Sequence, residues 1–152
     1  MTLLATEIRR MPRAEQDRLF HASPAGPIPV GQADGTAIIL PGSWLDRVLG
    51  ALIRTFWWKG KIFRPESGDL KNRLGPIGIP AVRAEVYVGD SWFAGSPAII
   101  LDYSKTSFVA RLVRDEMREV APGVYLGVVY LGGRRVAGFM LEFPDEGARR
   151  DG

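Results

Sequence analysis

Apolar and polar positions change their period several times along this chain, and the changes mark its elements. Over residues 81–88 they alternate strictly: Val82, Ala84, Val86 and Val88 against Arg83, Glu85 and Tyr87, the period of two expected of a half-buried strand. With the apolar set turned toward packed helices, Arg83, Glu85 and Tyr87 face a cavity or solvent. Residues 98–103 and 124–131 are nearly continuous apolar runs rich in β-branched side chains, as buried strands are. Further runs at 36–40, 58–63, 70–74 and 135–143 also read as strands. Gly132-Gly133 joins the last two as a tight hairpin, because glycine accepts the positive φ such turns need.

A helical period appears in three places. In residues 2–20, Leu3, Leu4 and Ile8 share a face, Pro12 interrupts, and a second piece ends at Leu19-Phe20 with His21 at its C-terminus. In residues 43–56, Ser43 caps a stripe of Trp44, Leu45, Val48, Leu49, Leu52, Ile53 and Phe56. In residues 108–120, Phe108, Val109, Leu112, Val113, Met117 and Val120 fall at helical spacing, and Pro122-Gly123 ends the element. Residues 22–35 hold three prolines and three glycines and read as a loop. The pattern predicts one α+β domain over residues 1–144, an antiparallel β-barrel of about six to eight strands with an N-terminal helix and two internal helices. Residues 145–152 read as a disordered tail.

Composition narrows the function without naming it. The chain has 152 residues, 46% hydrophobic and 24% charged, enough for one domain with a real core. The net charge is only +3, from 20 Lys plus Arg against 17 Asp plus Glu, and the basic residues are scattered. A nucleic-acid partner needs them clustered, so none is expected. With no Cys and a single His, disulfides, thiolate catalysis, Cys-ligated zinc and a multi-His metal site are excluded; no cofactor is expected. No signal peptide and no membrane-length apolar run is present, which predicts a cytoplasmic protein. Oligomeric state stays open.

Three segments resemble a known family. Gly31-Gln32-Ala33-Asp34-Gly35 sits where the G-x-W-x-G domain family of bacterial proteins carries its name motif, with Ala33 in place of the Trp. Trp58-Lys59-Gly60-Lys61-Ile62-Phe63 is similar to that family's W-x-G-K-x-F. Met117-Arg118-Glu119-Val120, with Leu126-Gly127 after it, is similar to its F-R-x-V followed by L-G. The resemblance spans residues 30–130 and implies a lipocalin-like barrel that handles apolar small molecules.

Candidate chemistry centres on a few polar residues. Asp102 and Tyr103 close an apolar strand, where a carboxylate beside a phenol suits general acid–base work; with Ser104, Asp102 equally suits a turn. Asp115 is the other candidate acid. On the expected helix, Arg111 to Asp115 and Arg114 to Arg118 are four-residue pairs, and Arg118 finds a partner in Asp102 or Asp115. Arg114 and Arg118 suit bidentate capture of a ligand carboxylate. Trp58, Lys61, Arg83, Tyr87 and Tyr125 are the remaining candidates to line a pocket. Trp92-Phe93 lies in a turn between strands, a costly place for two large apolar side chains unless they cover a pocket or a partner. The expected function is binding of a hydrophobic small molecule of fatty acyl, isoprenoid or polyketide type. Two alternatives stay open. One is a barrel enzyme, a cyclase, isomerase or hydratase, using Asp102 or Asp115 with Tyr103 and an Arg. The other is a membrane-surface or protein-interaction module working through residues 44–58.

Overall fold

The computed structural model describes residues 4–39, 60–64, 66–74, 79–105 and 111–143. Two helices come first, α1 (Ala5–Arg10) and α2 (Arg13–Ala22). Nine strands follow: β1 (Gly31–Gln32), β2 (Asp34–Ile39), β3 (Gly60–Arg64), β4 (Asp69–Leu74), β5 (Ile79–Asp90), β6 (Pro97–Asp102), β7 (Val113–Ala121), β8 (Val124–Leu131) and β9 (Arg134–Glu142). The helices part at Pro12, which has no N–H to continue α1 and whose φ of −55° suits the start of α2.

The strands form one antiparallel sheet in the order β1-β3-β4-β5-β6-β7-β8-β9-β2. Only Ala33 separates β1 from β2, yet these pair at opposite ends of that order: Gly31 and Gln32 with β3, and residues 34–39 with β9. The two edges of the sheet therefore meet at Ala33, and the sheet rolls into a nearly closed barrel. The approach depends on Gly60. Its φ is +141°, and a Cβ there would lie 2.2 Å from the Ala33 carbonyl oxygen. At the β8–β9 hairpin, Gly132 and Gly133 both take positive φ, 58° and 83°, as expected of that pair.

The wall separates two apolar clusters. Phe63, Leu70, Ala84, Ile99, Leu101, Met117, Tyr125, Phe139 and Leu141 fill the interior, and Ala25 packs against them. The segment between α2 and β1 is held there by Glu119 N–H donating to the Ala25 carbonyl at 3.2 Å and Tyr125 donating to the Pro27 carbonyl at 2.7 Å. Outside, Ile8 of α1 and Phe20 of α2 pack on Leu126, Val128, Tyr130 and Met140. This outer layer is the hydrophobic interface that docks the N-terminal helices.

Two sequence expectations are corrected. Nine strands replace six to eight, because residues 31–32 form a strand of their own and because residues 113–121 are strand β7 rather than the end of a helix. Both faces of β7 are buried and both carry charge: Asp115 and Met117 turn inward, whereas Glu116 and Arg118 turn outward beneath the 91–94 turn and α2. A strand of that kind shows no alternation of apolar and polar residues, so a helical period was the better fit. The loop expected over 22–35 ends at Val30. The expected helix 43–56 and the tail 145–152 lie outside the described residues. No described helix is long and apolar enough to cross a membrane.

Candidate functional site

Four polar side chains from four stretches of the wall meet inside the barrel. Along β3, Lys61 and Phe63 are buried while Ile62 and Arg64 are half-buried, so Lys61 projects inward. Asn72 of β4 is its register partner and shares the face. Leu101 of β6 points into the interior cluster; Tyr103, two residues on, does so too. Asp115 of β7 pairs with Leu101 and follows it inward. All four are at least nine-tenths buried.

The Lys61 ammonium donates to Asn72 Oδ1 at 2.7 Å, to the Tyr103 hydroxyl at 2.7 Å and to Asp115 Oδ2 at 3.4 Å. Asn72 Nδ2 donates to the same phenol oxygen at 2.9 Å. The Phe139 ring lies beside the ammonium, its centroid 5.3 Å from Nζ. Asp115 Oδ1 is buried and accepts no hydrogen bond. Burial pushes the Tyr103 phenol above its ordinary pKa, only partly opposed by Lys61, so it is neutral at pH 7. Burial raises the Asp115 carboxyl as well, with Lys61 drawing it back in part. For Lys61, burial favours loss of the proton, but Tyr103 and Asp115 outweigh it and the ammonium is held more firmly than usual. The cluster thus joins a cation, a neutral phenol and a carboxyl in one network, able to orient a polar group or to pass a proton.

The other sequence candidates lie elsewhere. Asp102 and Tyr103 are neighbours in sequence but point to opposite sides of the wall. Asp102 accepts from Tyr87 at 3.0 Å and from Ser104 N–H at 2.8 Å, which is the turn role. Tyr87 is exposed on the outer face, as is Arg83, which pairs with Asp69. Arg114, also outside, bridges Glu116 at 2.7 Å and stacks on Trp92, 4.0 Å from the ring centroid. The four-residue pairs expected of a helix do not form: residues 113–121 are extended, and four residues along a strand span about 13 Å, too far for Arg114 and Arg118 to share a ridge although both turn outward. Arg118 meets neither Asp102 nor Asp115; it reaches the Phe20 and His21 carbonyls at the end of α2, at 3.0 and 3.3 Å, and Ser96. Tyr125 lies inside, against Phe143. Trp58 is outside the described residues. Trp92-Phe93 covers the outer layer, with Phe93 against Phe20.

Sequence reading missed Asn72, whose one signal is that an amide is unusual in a short strand. Glu116, which the sequence shows only as one charge in the run from Arg111 to Arg118, is buried and receives Ser91, the Trp92 N–H at 2.9 Å and the Phe93 N–H at 3.2 Å, fixing the β5–β6 turn. Among the described residues no three His, Asp or Glu side chains come together as metal ligands. A small cleft between α2 and the sheet, near Gln16, Phe20, Phe93 and Arg135, encloses about 10 Å³, room for one water. It lies on the outer side, away from the polar cluster.

No family model matches the chain, and no curated protein does. Among solved structures it is similar to the crystal structure of a protein from Thermomonospora curvata, with a TM-score of 0.64, 19% identity and 87% of each chain covered. That likeness supports the barrel fold.

Proposed function

We propose that the barrel binds an apolar small molecule, with Lys61, Asn72, Tyr103 and Asp115 as the polar anchor that orients it. The observation that carries this reading is the convergence of those four side chains in an otherwise apolar interior. An interior serving stability alone is better filled with hydrocarbon, because a buried ion pair seldom repays the loss of its hydration. An apolar cavity with a few convergent polar groups is instead the usual anatomy of a small-molecule site. The resemblance to lipocalin-like G-x-W-x-G domains suits the same reading, since Lys61 stands in the W-x-G-K-x-F-like segment. Native mass spectrometry of the purified protein, followed by denaturing extraction, tests it. A stoichiometric apolar passenger in the wild type that is lost from the Lys61→Met, Asp115→Leu double variant is the expected result. A ligand-free mass that no apolar compound shifts would sink the reading.

A second reading is favoured by one observation: Tyr103 and Asp115, two of the three candidate catalytic residues, share the network. On an isomerase or hydratase substrate, Asp115 would take a proton and Tyr103 would deliver one, with Lys61 supplying the positive charge that the sequence reading assigned to an Arg. Conversion of the extracted passenger by wild type, with a pH–rate profile that Tyr103→Phe abolishes, separates catalyst from carrier.

A further inference from the structure

We infer that the interior site takes ligands whose polar end is an uncharged hydroxyl and that it rejects carboxylates built on the same carbon skeleton. This inference rests on the binding reading above and narrows it to a ligand class.

The grounds are an inventory of donors and acceptors. A lysine ammonium has three N–H donors and no acceptor. Asn72 Oδ1, the Tyr103 hydroxyl and Asp115 Oδ2 engage all three. The phenol oxygen already receives a second donor from Asn72 Nδ2. At Asp115, Oδ2 faces Lys61, while Oδ1 is buried without a donor. A buried polar atom without a partner is costly, so whatever completes this site must donate a hydrogen bond to Oδ1.

Charge selects among donors. Lys61 and Asp115 already balance each other. A ligand carboxylate brings only acceptors and sets a second negative charge beside Asp115, with no ammonium N–H left to receive it. A ligand ammonium donates, but it sets a second cation beside Lys61 in surroundings too apolar to solvate either. An ether or a hydrocarbon has no donor. An alcohol supplies one O–H and no net charge, and its apolar remainder can lie along Leu101, Met117 and Phe139 of the interior cluster.

The test is calorimetric titration of delipidated full-length protein with two matched series. One is decanol, decyl methyl ether, decylamine and decanoate; the other is citronellol, its methyl ether and citronellate. Within at least one series the alcohol should bind about ten- to a hundredfold tighter than its ether, the range for a hydrogen bond to a charged partner. The carboxylate should bind more weakly than the alcohol by at least about tenfold at pH 7. In Asp115→Asn, the amide oxygen turns to Lys61 and the amide nitrogen takes the place of Oδ1, so the alcohol's advantage over the ether should collapse. The wild-type series decides the matter by itself if that variant fails to fold. Equal binding of alcohol and ether, or tighter binding of the carboxylate, overturns the hydroxyl assignment and leaves the carrier reading standing. Absence of binding across both series overturns both.

Discussion

Lys61 and Asp115 depend on each other in a way that single substitutions expose. Removing one leaves the other as a buried charge without its partner, which costs about 3–5 kcal/mol. Lys61→Met and Asp115→Leu should each be strongly destabilising in urea unfolding, whereas the double variant should regain at least half of their summed loss. Simple additivity would show that the two charges are not coupled. Their neighbour Tyr103 adds a pH dependence. Both Lys61 and Tyr103 have raised pKa values in the folded protein, so the fold holds protons that the unfolded chain releases above about pH 10. Their contribution to stability is therefore complete below that pH and falls as pH rises further. Tyr103→Phe should make the alkaline decline in the urea midpoint shallower; an unchanged decline would assign it to other groups. Lys61, Tyr103 and Asp115 are candidates from the sequence, Asp115 as part of a charged run on an expected helix, yet the grouping of the cluster is not legible there. Periodicity says that two residues share a face, but only the register says which faces meet, and so Asp102 was grouped with the site that its neighbour Tyr103 occupies.

Among the elements, β7 carries most of what the sequence concealed. Its outer face is covered by α2, which Arg118 tethers by donating to the last carbonyls of the helix. Arg118→Leu removes those charged hydrogen bonds and should cost about 2–3 kcal/mol, with hydrogen exchange rising in α2 more than in β8. Uniform exchange changes would argue against a local tether. Strand β8 depends on Gly127, where an added Cβ would lie 2.1 Å from the Phe139 ring, itself buried. Gly127→Ala should destabilise by about 1–3 kcal/mol, and Phe139→Leu should relieve part of that loss in the double variant. The strands with clean alternation or flanking glycines were legible from pattern alone. Strand β7 was not, because tertiary cover buried its polar face and burial erased the alternation on which strand reading depends.

At the scale of the whole molecule, the barrel wall divides two apolar environments that composition cannot tell apart. Met117 and Met140 are both fully buried, yet Met117 belongs to the interior cluster with Leu101 and Phe139, whereas Met140 belongs to the outer layer under α1 and α2. A small molecule bound in the barrel must touch the first environment and not the second. Their methyl groups therefore report where a ligand sits. The decisive measurement is methyl NMR of the methionine-labelled protein titrated with decanol or with the extracted passenger, each resonance assigned by Met→Leu substitution. A ligand held by the interior cluster shifts Met117 and gives contacts to its methyl while Met140 stays in place. Shifts at Met140 with Met117 unmoved would put the ligand beneath the helices and contradict binding inside the barrel.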